Sequence, residues 1–170
     1  LLLMGTIESD KVLEEIALLL SNGKQVLFTP RGVSMRPFIE GGKDTVTLVK
    51  KPTVAVGDIV LVHIGNRYIL HRVYKLSTSK QENYSTLYTS KLDDSSTLYT
   101  LNSQLVLQGD GNLQGYEYCT PDDVLGTVIA IQSPKGRHKP LTKGRLWRLL
   151  KPFRKYLLKI YRHTYLTFNY

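Results

Sequence analysis

Cysteine is nearly absent from this sequence, and no long apolar run occurs in it. The single cysteine, Cys119, cannot form an internal disulfide, and no residues have the spacing of a zinc-ligand pair. The apolar run near the start, residues 16–20, is much shorter than the ~20 residues that a membrane-spanning helix needs. The succession of basic, apolar and small residues that marks a secretory signal peptide is also missing. A disulfide scaffold is excluded, and we expect neither a metal nor another cofactor.

Acidic residues are missing from the last part of the chain. From residue 133 to 170 there are eleven Lys or Arg and no Asp or Glu, whereas the preceding 132 residues carry 12 basic and 14 acidic side chains. The formal net charge of +9 therefore belongs to a basic tail on a weakly acidic body. We expect any anionic partner to bind the tail.

The overall composition is that of a folded protein. The 170 residues are 42% hydrophobic and 22% charged, which is typical of globular domains and not of disordered chains. A chain of this length is enough for one domain. We expect a domain over residues 1–132 and a basic segment over residues 133–170, in the cytoplasm or bound peripherally to a membrane.

The periodicity of the body indicates a short helix followed by many strands. Residues 10–20 place apolar side chains at helical spacing, and Gly23 is suited to end the helix. Later runs are rich in Val, Ile, Leu, Thr and Tyr, and Gly, Pro, Asn or Asp separate them. A tight hairpin turn is expected at Gly65 and Asn66. The predicted fold class is mainly β, with strands at 25–29, 45–50, 58–64, 67–76, 104–108 and 124–132.

The segment from about 77 to 103 is enriched in Ser, Thr, Tyr and Asn. The sequence Ser-Thr-Leu-Tyr-Thr occurs at 85–89 and again at 96–100, and two copies are too few for a solenoid. We interpret the segment as an inserted hairpin that turns near Asp93 and Asp94. A second hypothesis is that its tyrosines contact a substrate.

The tail predicts an amphipathic helical segment from residue 144 to 166. Apolar side chains form one stripe and Lys or Arg the other, and Pro152 should kink the helix or begin a second one. Two interpretations stay open. The segment lies in a membrane interface, where Lys and Arg meet lipid phosphates, or it docks on the body with its basic face in water. Nucleic acid is a less favoured partner, because the apolar stripe would then have to be buried elsewhere.

Three polar residues in separate segments have the chemistry of a serine hydrolase. Ser34, in a Gly/Pro-containing loop ahead of Met35, is a good nucleophile only if a base takes its proton. His71, in an apolar strand, is the candidate base. Asp110, in a glycine-flanked turn, is the candidate group for orienting the imidazole. Each residue alone is an ordinary turn or strand residue, and only their combination indicates catalysis.

Five motifs follow one another along the chain. They are Gly32-x-Ser34-Met35-x-Pro37, Val-Gly-Asp-Ile-Val at 56–60, Tyr-Ile-Leu-His-Arg-Val at 68–73, Gly-Asp-Gly-Asn at 109–112 and Val-Leu-Gly-Thr-Val at 124–128. This ordered set resembles the type I signal peptidases and the wider serine peptidase superfamily shared with LexA-like self-cleaving repressors. The resemblance covers most of the chain, from about residue 25 to 131.

The resemblance implies a signal-peptidase/LexA-like β-fold and assigns roles to the matched residues. Ser34 is implied as the nucleophile and His71 as its base, in the place where bacterial members carry a lysine. Histidine there is similar to the archaeal and endoplasmic-reticulum branch, in which the aspartate of the Gly-Asp motif assists, here Asp110. Histidine-type relatives carry a second acidic residue shortly after this motif, and Glu117 is the next acidic residue here. Relatives bind substrate as an added β-strand.

The oxyanion and substrate contacts are expected in the segment that contains the nucleophile. The backbone N–H of Ser34 is the expected oxyanion donor. Gly32 has no side chain and should let the substrate backbone approach closely, and Met35 completes the expected substrate-binding set.

The predicted function is a Ser/His endopeptidase that cleaves a leader or signal-like segment from a protein or peptide. One alternative is a dedicated cytoplasmic leader peptidase of a modified-peptide system. Another, from a different class, is a non-catalytic module that holds an extended peptide in the same cleft. A self-cleaving transcription regulator is less favoured, because no helix-turn-helix pattern precedes the body and His71 replaces the expected lysine.

Overall fold

The computed structural model describes residues 4–6, 10–78 and 103–168. The centre of the predicted inserted hairpin, including both copies of the five-residue sequence, lies outside these residues. Within the part that is described, no helix combines the length and the apolar character that crossing a membrane requires.

The described residues form nine strands and three α-helices, so the mainly β fold class is confirmed. Short 3₁₀ turns occur at Pro121–Asp123 and Lys151–Phe153. The elements are β1 Met4–Thr6, α1 Asp10–Ser21, β2 Val26–Thr29, β3 Thr45–Val49, β4 Ile59–Ile64, β5 Arg67–Thr78, β6 Ser103–Gln108, β7 Glu117–Cys119, β8 Val124–Gln132, β9 His138–Lys139, α2 Arg145–Leu149 and α3 Arg154–Phe168. All six predicted strands and the N-terminal helix are present, whereas β1, β7 and β9 were not predicted.

The strands form one sheet in the order β1-β2-β3-β8-β4-β5-β6-β7, and β9 pairs with β8. Every pair is antiparallel except β1 with β2. The ladder between β4 and β5 runs from Ile59 opposite Arg72 to Ile64 opposite Arg67, which closes the predicted two-residue turn. Gly65 has a φ of 57° there, as such hairpin turns require. This hairpin carries His71 into the centre of the sheet.

The sheet has a hydrophobic core on each face, and β4 is buried on both. Ile59 and Leu61 belong to one cluster, and Val60 and Val62 belong to the other, as the alternation of a strand requires. The first cluster also holds Ile16 and other residues of α1. A central strand that is covered on both faces is apolar along its length, which explains the unbroken apolar run at 59–62.

The tail forms two helices separated at Pro152, as predicted. The proline lies in the first turn of the 3₁₀ segment, where its missing N–H leaves no helical hydrogen bond unmade. Trp147 and Arg154 are buried, with 8% and 3% of their surface exposed, so the tail packs against the body. Leu146 and Leu149 of the apolar stripe, in contrast, face solvent.

Candidate active site

A cleft of about 300 Å³ opens between the loop after β2, the start of β5 and the segment that joins β6 to β7. Ser34 and His71 both line this cleft, together with the predicted binding residues Gly32 and Met35. The sequence-based set therefore converges on one surface, with the exception of Asp110.

The loop that contains Ser34 joins β2 to β3 over residues 30–44, and we call it the serine loop. It is held in place by the side chains that follow Ser34. Met35 is 5% exposed and Ile39 1% exposed, and both pack in the first core cluster. The N–H groups of Phe38 and Ile39 donate to the Met35 carbonyl oxygen at 3.1 and 3.0 Å, so the chain turns directly after Ser34. Because Met35 is anchored in the core beneath the cleft, the backbone of the neighbouring Ser34 is held at the cleft wall.

His71 is a buried side chain with one defined partner. It lies in β5 opposite Val60, and 5% of its surface is exposed. Its Nδ1 is 2.8 Å from Oε2 of Glu117, the first residue of β7. A carboxylate accepts from Nδ1–H, so this contact fixes the tautomer in which Nε2 is free to take a proton.

Gly109 lies next to both the backbone of Ser34 and the imidazole of His71. A Cβ added to Gly109 would lie 2.5 Å from the Ser34 carbonyl oxygen and 2.9 Å from His71 Nε2. The following residues pack against the same loop, because the Gly111 N–H donates to the Ser34 carbonyl oxygen at 2.7 Å. A side chain at position 109 would therefore separate the imidazole from the serine loop, and only glycine lets them approach.

The Ser34 hydroxyl and the Ser34 N–H are both without a hydrogen bond to the described residues. No direct Ser34–His71 hydrogen bond is formed between them in this structure. Nucleophile and base are often farther apart without substrate than in the complex. A free hydroxyl and a free backbone donor at one position are the two groups that acyl transfer uses.

Asp110 is occupied by a different partner from the one expected. Both of its carboxylate oxygens accept hydrogen bonds from the guanidinium of Arg72, at 2.8–3.1 Å, and the two side chains are each 4% exposed. Arg72 Nη1 also donates to the carbonyl oxygens of Gly57 and Thr142. The hydrogen bond that the sequence analysis assigned to Asp110, to the imidazole, is made by Glu117 in this structure.

The buried Arg72–Asp110 pair lies where the tail meets the site. Trp147 Nε1 donates to the Asp110 carbonyl oxygen at 2.8 Å. The Trp147 ring packs edge-on against Phe38 of the serine loop, with 5.7 Å between centroids, and the Arg72 guanidinium lies 5.2 Å from the same Phe38 ring. The serine loop, the turn at Gly109 and the tail are thereby packed together.

A second set of contacts holds the other end of the serine loop. Arg36 Nε donates to both carboxylate oxygens of Glu40 at 2.9 and 3.0 Å, and Tyr161 of α3 donates to Oε2 at 3.2 Å. The Glu40 N–H donates to Asp44, which also pairs with Lys139 of β9. These contacts keep the turn after Ser34 attached to elements that follow it by about a hundred residues in sequence.

The tail also approaches the segment that carries Glu117. Lys151 donates a hydrogen bond to the Tyr116 hydroxyl at 2.9 Å. This hydrogen bond lowers the pKa of Tyr116 and raises that of Lys151. Lys151 also lies 5.6 Å from the Tyr74 ring. By contrast, Cys119 has no reactive surroundings, because burial raises the pKa of its thiol to about 12.

Three residues of the site were not assigned by the sequence analysis. The role of Glu117 was left open, because only the fold brings β7 beside β6 and so toward His71. Arg72 had a signal, since a cation inside an apolar strand needs a buried partner, and the adjacent motif supplies Asp110. Gly109 had a weaker signal, a glycine directly before a functional turn.

No group of three or more His, Cys, Asp or Glu that could hold a metal ion occurs in the described parts of the chain. No protein-family model matches the sequence, and a comparison with curated proteins finds no significant match. The cleft itself therefore carries the functional proposal.

Proposed function

We propose that this chain is a serine endopeptidase with a Ser/His mechanism and a signal-peptidase/LexA-like fold, and that it cleaves a leader or signal-like segment from a protein or peptide. One observation supports this most strongly: Ser34, whose hydroxyl makes no hydrogen bond to the described residues, and His71, whose imidazole is held by Glu117, line the same cleft. We assign Ser34 as the nucleophile and His71 as its general base.

In the proposed reaction, Ser34 Oγ attacks the carbonyl carbon of the scissile peptide bond and His71 Nε2 takes the hydroxyl proton. The negative charge that develops on the carbonyl oxygen is stabilised by the Ser34 N–H, which makes no hydrogen bond to the described residues. The imidazolium then protonates the leaving amine. Water, deprotonated by the same imidazole, releases the acyl group from Ser34.

We assign Glu117 as the third member of the catalytic triad, the residue that orients the histidine. Its carboxylate holds Nδ1–H of His71 and stabilises the imidazolium that forms during the reaction. Asp110, whose carboxylate binds Arg72, acts through the backbone by fixing the turn at Gly109 against the serine loop. Asp110 is thus a positioning residue.

The substrate enters as an extended segment. The cleft is lined by polar residues, among them Ser34, His71 and Asn112, and by apolar ones, Met35, Ile39 and Ile69. This mixture suits a peptide backbone flanked by small or apolar side chains. The non-catalytic peptide-binding module is favoured by a single observation, the missing Ser34–His71 hydrogen bond, and the experiment below distinguishes the two functions.

The test is cleavage of candidate leader peptides, followed by mass spectrometry. Wild type should produce two fragments, and Ser34→Ala or His71→Ala should each remove nearly all hydrolysis. The double variant should be little worse than either single variant, because members of one catalytic unit are not additive. A serine-directed covalent probe should label wild type at Ser34 and should label His71→Ala far more slowly.

Matched controls are available for both substitutions. Ser21→Ala and His138→Ala change exposed residues outside the cleft and should leave cleavage intact. Lys75, the lysine of β5, is exposed, so Lys75→Ala should keep its cleavage activity. Loss of activity in Lys75→Ala with retention in His71→Ala would show that the base is the lysine. Peptide binding without cleavage or labelling would favour the binding module.

A further inference from the structure

The C-terminal segment exposes a row of large apolar side chains. Leu146, Leu149, Phe153, Tyr156 and Ile160 are 60–78% exposed. Leu146 and Leu149 are three residues apart on α2, and Tyr156 and Ile160 are four residues apart on α3, so each pair lies on one side of its helix. We call these five residues the apolar row. It differs from an isolated exposed leucine, which is ordinary on a protein surface.

The apolar row is not the side by which the tail docks on the body. Trp147, Arg154 and Tyr161 make the docking contacts instead: Trp147 donates to the Asp110 carbonyl oxygen, Arg154 donates to the Trp147 carbonyl oxygen and Gln108, and Tyr161 donates to Glu40. The tail can therefore dock on the body while the apolar row stays exposed, and the row is free to contact another surface.

Four cations accompany the apolar row on the same two helices. Arg145, Lys155, Lys159 and Arg162 are exposed and form no hydrogen bond or ion pair with the described residues. The sequence contains no acidic side chain from residue 133 to 170. Beside the row, an apolar cleft of about 450 Å³ opens between Phe38, Leu146, Trp147 and Leu150. The exposed surface of the tail thus combines large apolar side chains with positive charge that no acidic side chain of the tail neutralises.

We propose that this face binds the surface of an anionic lipid bilayer. The apolar row enters the boundary between headgroups and acyl chains, and the four unpartnered cations contact lipid phosphates. The charge complementarity selects an anionic bilayer over a second copy of this chain, whose matching face would be equally positive. This proposal is independent of the proposed peptidase activity, because it concerns the face of the tail that points away from the body.

The test is flotation of the full chain with vesicles of phosphatidylcholine, alone or mixed with phosphatidylserine. We expect binding to the anionic vesicles only, and weaker binding as salt rises from 0.1 M to 1 M, because the Debye length falls from about 10 Å to about 3 Å. Leu149→Gln should weaken binding at least about tenfold. The matched control is Leu18→Gln, the same change at an exposed leucine of α1, which should bind as wild type does.

Each other outcome overturns the proposal. Absence of binding at 0.1 M salt excludes the bilayer, and equal binding of the two glutamine variants excludes the apolar row as the contact. Equal binding to neutral vesicles excludes the role of the cations. A dimer in light scattering that Leu149→Gln dissociates, without flotation, would assign the face to a second copy. Trp147 is the sole tryptophan, so an unchanged emission spectrum shows that the tail of each variant is still docked.

Discussion

Glu117 reaches the imidazole of His71 from a strand of only three residues, so its contribution is local and testable. Its side chain is 24% exposed and its Oε2 lies 2.8 Å from Nδ1. If the carboxylate orients and stabilises the imidazolium, Glu117→Ala should lower kcat by about 10²-fold or more, and Glu117→Gln, which keeps an acceptor without the charge, should lie between. Glu15→Ala, at an exposed carboxylate of α1, is the control. Full activity of Glu117→Ala would remove it from the mechanism.

Asp110 makes a different kind of contribution, because its partner is a buried guanidinium. Removing one member of a buried ion pair leaves the other charge unpaired, which costs about 3–5 kcal/mol. Asp110→Ala should therefore lower the free energy of unfolding by roughly this amount in urea denaturation, whereas Asp122→Ala, at an exposed carboxylate, should change it by less than about 0.5 kcal/mol. The variant Arg72→Met/Asp110→Leu should recover part of the loss. A stable but inactive Asp110→Ala would instead favour the direct catalytic role implied by the resemblance.

At the scale of elements, the sequence predicted those with a strong pattern of their own. Helix α1 and the six longer strands follow from apolar spacing, because burial of one face decides both their type and their position. Strands β1, β7 and β9 have two or three residues, too few for a period to show. They are strands because a neighbour pairs with them, and pairing is a property of the fold.

The contrast between segments with a sequence pattern and segments defined only by pairing also explains which site residues could be predicted. Ser34 and His71 lie in predicted segments with recognisable neighbours, and both line the cleft. The resemblance raises Glu117 as a candidate acidic residue, but the sequence leaves its role open because β7 has no pattern that would place it beside His71. Asp110 does not hold the imidazole, because the buried guanidinium of Arg72, the residue after His71, binds both of its carboxylate oxygens. In the tail, the sequence predicts the apolar stripe, but it does not predict which side docks on the body. That side is defined by the hydrogen bonds of Trp147 and Arg154.

For the whole molecule, the important question is whether the two core clusters unfold together. Strand β4 contributes alternate residues to both, and β8 contributes Val128 to one and Val124 to the other. A sheet that shares its central strands between two cores cannot lose one core and keep the other intact. We therefore expect a single cooperative transition, with coincident curves from Trp147 fluorescence and far-UV circular dichroism.

One matched pair of substitutions tests this coupling. Leu48 and Leu107 are both fully buried, one in each cluster. Leu48→Ala and Leu107→Ala should each lower the free energy of unfolding by about 2–5 kcal/mol, and both should move the whole transition seen by either probe. Leu18→Ala, at an exposed leucine, should change the free energy by less than about 0.5 kcal/mol. If Leu107→Ala produced a separate early transition that left the Trp147 signal unchanged, the second core would be an independent unit. The cleft with Ser34 and His71 lies between the serine loop, which packs in the first core cluster, and β5, which contributes to both clusters. In that case the cleft would open before the rest of the protein unfolds.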